Sequence, residues 1–530
     1  MISQRNVLAP LALSLVGIGW LAACEPKKNT VDPDPIVVVD PPPVDEVAPA
    51  EWPNEPFRAT RPQPKAPAEL DLPQITQMVL SNGLEVRLVE QKTLPTAMLM
   101  FEWDIGRIND PRGKAGMASL CVDLLDEGTK SLDHAAFMAK QADHAVSIWA
   151  SPGNEVTTVG VQALQRELGP ALDLVAEMLL EPGMRADDFG RLVEQEKAYV
   201  EQQKTSPSSI ANRVWSSLVW GGQHPYGKIE TAATVDQITL ADCDAWVARL
   251  KPEGARLWVV GKIDGETLRK QLEDRFAGWT GKAPKPIKIA KPKPAKGTMF
   301  FIHVPNAAQS QILVGHPGPA RNAPDYEATQ MMAAILGGSF SSRLNMNLRE
   351  DKGWAYGARG GFSYSRGGSS FSAGSSVRTD ASGGALREIA KEIQTMRSSD
   401  PSDEELGRER EGAQRAMPAT FSTATRTLYA FRDLAYYDLP LDWYEGYQAR
   451  LAAIDPAAIR KAAESHLQKG DFVVVIAGDG AVILPELEQI ADEKLFGKGG
   501  LLFLDADGNP VEPPVFDAKP NAKPNAKPNP

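Results

Sequence analysis

The chain has 530 residues, of which 42% are hydrophobic and 24% charged, enough for two or more packed domains and too apolar for a mostly disordered protein. Its formal net charge is −11, and residues 25–57 alone carry eight acidic side chains against two lysines. That balance argues against a nucleic-acid partner, because phosphate recognition needs a basic surface.

In chain order, the first element is a short polar start with Arg5, an apolar run from Val7 to Ala22, and the tetrapeptide Leu21-Ala22-Ala23-Cys24. Residues 1–24 read as a secretory signal, too short and wrongly flanked for a stable membrane span. The tetrapeptide also resembles a bacterial lipobox, so Cys24 is expected to carry lipid and to be the membrane anchor. Glu25 at the following position, in place of aspartate, points to the outer membrane of a Gram-negative envelope. Residues 25–73 are acidic and Pro-rich, cannot bury a core, and are expected to form an extended tether.

Two stretches of similar length follow, 74–280 and 298–500, joined by "GKAPKPIKIAKPKPAKG" at 281–297, which reads as a Lys/Pro linker. The stretches echo each other. "VDQITLADCDAWVARLKPEGARLWVVGKID" predicts an Asp-led helix and then a buried strand ending at Gly261. "LAAIDPAAIRKAAESHLQKGDFVVVIAGDG" repeats this, with Asp455 before Pro456 at a helix start and a strand ending at Gly478. The expected fold is α+β: two homologous α/β domains produced by internal duplication. Residues 501–530, ending in "AKPNAKPNAKPNP", are expected to be a disordered tail. Cys121 and Cys243 lie in helical contexts; an exported chain could pair them, but buried free thiols are the expectation.

Several motifs carry a family resemblance: "LSNGLEVRLVE", "GMASLCVDLLDEGTK" (116–130), "HPYGK" (224–228) and "LGGSFSSRLNMNLREDKGWAYG" (336–357). With the duplication, they resemble the insulinase/pitrilysin zinc peptidases, in particular the two-domain, processing-peptidase-like subunits. The resemblance implies an H-x-x-E-H helix in the first domain, where two histidines at i and i+4 share one face to hold zinc and the glutamate polarises the bound water. Anchored on Gly128 and Thr129, those five positions are Ser119, Leu120, Cys121, Val122 and Asp123. Both histidines and the glutamate are missing. The third ligand expected downstream falls near Ala198, Tyr199 or Val200, with Glu196 and Glu201 leaving the register open. Six histidines stand at 134, 144, 224, 303, 316 and 466, no two of them four apart. His224 reads as a structural loop residue and Asp123 as a solvated or capping carboxylate.

In the second domain the resemblance implies an arginine and a tyrosine seven residues apart that bind the substrate backbone and steady the tetrahedral intermediate. "LREDKGWAYG" supplies Arg349 and Tyr356 at that spacing, fixed donors suited to a carbonyl gaining negative charge. Leu344 and Leu348 form a helical stripe, Gly353 suits a helix C-terminus, and the run from Trp354 predicts a strand.

The resulting expectation is a lipoprotein without a metal of its own, which joins a sibling bearing H-x-x-E-H and zinc, or pairs with itself, around a peptide. Arg349 and Tyr356 would complete the partner's active site. A non-proteolytic binding or assembly module in the envelope is the alternative, and a peptidase with an unrecognised metal site is opposed by the histidine census.

Overall fold

The structure is a computed structural model that describes residues 56–60, 72–91 and 94–516. The signal, Cys24 and most of the tether lie outside the described residues, as do the last fourteen positions. The chain divides into two units, Met1–Pro67 and Ala68–Pro530. In the first, the described part is a 3-10 turn at Pro56–Ala59.

The second unit holds both expected domains. The first contains strands β1 (Ile75–Val79), β2 (Glu85–Glu90), β3 (Thr96–Trp103), β4 (Ser147–Pro152), β5 (Thr157–Leu164) and β6 (Arg256–Gly261). Its helices are α1 (Met117–Leu125), α2 (His134–Asp143), α3 (Leu168–Leu180), α4 (Ala186–Gln202), α5 (Pro207–Trp220), α6 (Ala232–Val235), α7 (Leu240–Val247) and α8 (Gly265–Phe276). The second contains β7 (Thr298–His303), β8 (Gln309–Gly318), β9 (Ala355–Ser365), β10 (Gly368–Arg378), β11 (Val473–Gly478) and β12 (Gly500–Phe503). Its helices are α9 (Tyr326–Ala333), α10 (Arg343–Asn345), α11 (Ser382–Ser398), α12 (Asp403–Ala416), α13 (Ala424–Tyr436), α14 (Tyr447–Ala452), α15 (Pro456–His466) and α16 (Gly480–Asp492).

Sheet order repeats place by place: β1-β2-β6-β3-β5-β4 in the first half and β12-β7-β11-β8-β10-β9 in the second. In each, a parallel pair, β2–β6 or β7–β11, sits beside antiparallel neighbours. The fold is therefore α+β and duplicated. The copies differ at one edge: β1 is antiparallel to β2, whereas β12 runs parallel to β7. That strand comes from residues expected to be a disordered tail. Leu502 is half exposed, but Leu504 is buried and Asp507 pairs with Lys204 (2.9 Å) and Arg213 (2.8 Å) of the first half, which orders the chain beyond residue 500.

Helix starts follow local chemistry. Asp455 accepts a hydrogen bond from Ala458 N–H at 2.7 Å with Pro456 in the first turn, as expected. The equivalent helix in the first half begins at Leu240 and is capped by Thr239 in a capping box with Asp242, so a threonine and not an aspartate leads it. The linker has neither helix nor strand, yet Lys293 and Ala295 N–H groups donate to Trp220 and Leu218 carbonyls, which ties it to α5.

The two halves exchange helices. From the first half, α5 packs on β8 and β11 of the second sheet, and α13 of the second half packs on β3 and β6 of the first. Met98, Met100, Trp258 and Val260 on the outer face of the first sheet thus meet Leu428, Phe431 and Leu434. Coverage on both faces explains why β3, β6 and β11 are nearly continuous apolar runs without alternation. Among the described residues no helix is long and apolar enough to cross a membrane.

Candidate functional site

Helix α1 carries the five motif positions. Its start is held by Asp110, whose carboxylate accepts from Gly116 N–H (3.0 Å) and Ala118 N–H (2.9 Å). Burial pushes Asp110 up to about 6 against these favourable bonds. Ser119 is buried and its Oγ accepts from Arg107 Nε–H at 3.0 Å. Leu120 and Val122 are core residues, and Asp123 lies on the exposed face. Cys121 is bonded to Cys243 on α7, with Cα atoms 4.7 Å apart. This corrects the expectation of free thiols: both residues are fully buried, but the packing of α1 on α7 brings them face to face.

On α4, Val200 is buried, Tyr199 is 41% exposed, Ala198 faces outward, and Glu201 pairs with Lys204 at 2.8 Å. Glu196 instead reaches Glu230, whose carboxyl is held well above the ordinary range by burial and by Glu196. A guanidinium on Ser119, an apolar Val122 and one carboxylate at Asp123 do not make a zinc-ligating set, which needs about three well-placed donors. The histidines are all engaged elsewhere. His134, His144 and His466 face Glu127, Glu167 and Asp325. His303 accepts from Gly480 N–H, and buried His316, pushed down to about 4 by desolvation, accepts from Gln468 N–H.

His224 is a structural loop residue: Nε2–H donates to Ala290 O (2.8 Å), Nδ1 accepts from Tyr226 N–H (3.1 Å), and the ring packs against Trp220 and Tyr226. The rest of "HPYGK" serves the junction between halves. Tyr226 and Tyr436 hydroxyls both donate to buried Glu155, which also accepts from Arg366 N–H at 3.1 Å. Beside it, Arg256 and Arg366 meet Asp104, and Arg256 and Arg432 meet fully buried Glu102. Single letters in the sequence hold no sign of this cluster, because its members come from six separate segments.

The second half brings Arg349 and Tyr356 together. Arg349 sits on a π-helical turn, Met346–Asp351, whose buried Leu348 anchors it, and Gly353 at φ +62° ends it. Tyr356 is the second residue of β9 and is 87% exposed. The Arg349 guanidinium lies 5.0 Å from the Tyr356 ring centre and 4.8 Å from that of Phe340, itself 58% exposed, with Nε 3.1 Å from Glu350. Two buried asparagines fix this corner. Asn345 donates to Phe340 O (2.6 Å) and accepts from Ala358 N–H (3.1 Å), while Asn347 donates to Glu388 and Glu392, both at 2.8 Å. Sequence reasoning passed over Phe340, Asn345 and Asn347; two asparagines in an otherwise apolar helical stretch were the available signal.

A duplicated sheet-and-helix body, a substituted motif helix in one half and an arginine–tyrosine corner in the other define a peptidase-type fold without the motif's zinc ligands. The chain belongs to the insulinase family (peptidase family M16): residues 86–224 match the family's peptidase model and 237–413 its "Peptidase M16 inactive domain" model. It is 25% identical to an uncharacterized zinc protease of Mycobacterium leprae over 53% of this chain and 64% of that protein. A "non-peptidase homolog", YmxG of Helicobacter pylori, is 21% identical over 74% of this chain and 90% of its own length. The solved peptidase M16 inactive domain from Pseudomonas fluorescens superposes with a TM-score of 0.71 at 24% identity, over 77% of this chain and 98% of that one.

Proposed function

We propose that this chain is the zinc-less, substrate-binding subunit of an insulinase-type peptidase of the cell envelope, completing the active site of an H-x-x-E-H-bearing partner. The observation that carries the reading is the asymmetry between halves: the motif helix is rebuilt around Arg107–Ser119 and a disulfide, whereas Arg349 and Tyr356 stand side by side with the phenol open to solvent. A guanidinium and a phenol on a firmly packed corner suit a peptide carbonyl gaining negative charge. The Cys121–Cys243 bond supports an oxidising compartment, in line with export and lipidation at Cys24. Zinc would belong to the partner.

The test is reconstitution. The soluble part is purified and peptide cleavage is assayed with and without an H-x-x-E-H sibling, with zinc measured in each chain. Cleavage by the pair alone, with zinc in the sibling, is expected; full cleavage by the sibling alone would remove the proposed role. The match to a non-peptidase homologue over nearly all of that protein favours the second reading, an envelope binding or assembly module. Peptide retention without cleavage in any pairing would select it.

A further inference from the structure

We propose that the segment joining the two halves, 281–297, is a basic ridge that seats the protein on an anionic lipid surface. The inference goes beyond the peptidase reading and needs no sibling subunit. The segment carries Lys282, Lys285, Lys288, Lys291, Lys293 and Lys296 and no acidic residue, in a chain whose formal net charge is −11. Prolines at 284, 286, 292 and 294 fix their own φ and hold the residues before them extended, which favours a polyproline helix of three residues per turn. Burial follows that period. Among the positions three apart from 283 to 295, Ala283 is buried, Ile289, Pro292 and Ala295 are half-buried, and only Pro286 is exposed. None of these is a lysine: all six lysines stand on the other two edges, and all six are exposed.

The ridge is fastened to the body. Ala283 N–H donates to Glu253 O (2.8 Å), Ala290 O accepts from His224 Nε2–H (2.8 Å), and Ile289 and Ala295 pack on the core that holds Trp220 and Tyr226. Lys282 pairs with Glu253, and the other five lysines form no ion pair among the described residues. A ridge already held in place presents these ammonium groups without a further cost of ordering its backbone. Its chemistry selects the partner. Lysine is a compact point charge, whereas a shaped carboxylate or phosphate is gripped by the arginine fork, so six lysines without an arginine suit a field of charge. Lys282, Lys285, Lys288 and Lys291 recur at every turn, about 9 Å apart, close to the screening length of roughly 8 Å at physiological salt, so each meets its own counter-charge. Between Lys285 and Lys288, Ile287 is 37% exposed. An apolar side chain among cations gains from a headgroup boundary with hydrocarbon beneath it and nothing from a soluble polyanion.

The probes are vesicles of phosphatidylcholine alone and of equal parts phosphatidylcholine and phosphatidylglycerol. They are mixed with the full chain carrying Cys24→Ser, so that a lipid on Cys24 does not mask the weaker contact and any uncharged contribution is common to both vesicles. The anionic vesicles should bind more, and the difference should shrink as salt is raised. Combining Lys285→Gln, Lys288→Gln and Lys291→Gln should cost on the order of 10² in partitioning to the anionic vesicles, about fivefold for each lysine, while the melting temperature stays put. Ile287→Ser should weaken it further. Equal binding to both vesicles, or anionic-vesicle binding that the triple variant keeps, overturns the proposal. So does polyglutamate that binds as tightly as the anionic vesicles and is indifferent to Ile287→Ser, a result that would give the ridge to an acidic polypeptide. Cleavage by a reconstituted pair is measured without lipid, so failure here leaves the peptidase reading standing.

Discussion

Arg107 Nε donates to Ser119 Oγ at 3.0 Å, so a cation stands where the family's first zinc-binding histidine would be. The position has been given over to a structural hydrogen bond near the base of α1, with a positive charge that opposes a divalent metal. Restoring the motif is therefore more than a change of letters.

The triple substitution Ser119→His, Val122→Glu and Asp123→His should produce at most weak zinc binding and no efficient cleavage. Val122 is fully buried, so a glutamate there must displace core packing, and on α4 Glu196 is engaged with Glu230. Elemental analysis and calorimetric titration check this; one tightly bound zinc per chain with cleavage activity would contradict it.

Arg349→Ala and Tyr356→Phe should each slow cleavage by the reconstituted pair by on the order of 10², the scale for removing one donor to a developing oxyanion. Both groups act at one corner, so the double variant should lose less than the product of the two. Melting temperatures should scarcely move for Tyr356→Phe, since the hydroxyl is exposed. Wild-type rates for both variants, in a pair shown to assemble, would assign the chain a role as wall only.

Removing the Cys121–Cys243 bond by a Cys243→Ala substitution should destabilise the chain by roughly 2–5 kcal/mol, the range for losing a cross-link that closes a long loop. Denaturant unfolding under oxidising and reducing conditions measures it. The wild type should fall toward the variant when reduced, and the variant should not respond.

Stability should decline as pH rises through the neutral range. Burial raises Asp110 to about 6 and Asp126 to about 7, from an ordinary 3.8, and lifts Glu230 further still. The folded state thus keeps protons that the unfolded chain releases near pH 4, and stability contributed by these protons is lost between about 4 and 7, with Glu230 extending the window upward. Thermal melts across that range test it. Asp126→Asn and Glu230→Gln, which mimic the protonated groups, should flatten the dependence.

The features legible in the residues alone are local or periodic. The loss of the zinc motif is a matter of which side chains stand at 119, 122 and 123. The duplication shows in repeated helix-then-strand patterns ending at Gly261 and Gly478, and the Asp455 cap and the Arg349–Tyr356 spacing each lie within a few turns of backbone. Tertiary structure alone decided the rest. Whether Cys121 meets Cys243 depends on how α1 packs on α7 across 122 positions, and hydrophobic burial alone favours a thiol and a disulfide equally. The tail segment forms β12 by pairing with the edge of β7, and Asp507 meets Lys204 and Arg213 across the contact between the halves. The exchange of α5 and α13 between sheets had no local signature, since an amphipathic helix carries the same stripe whichever sheet it covers.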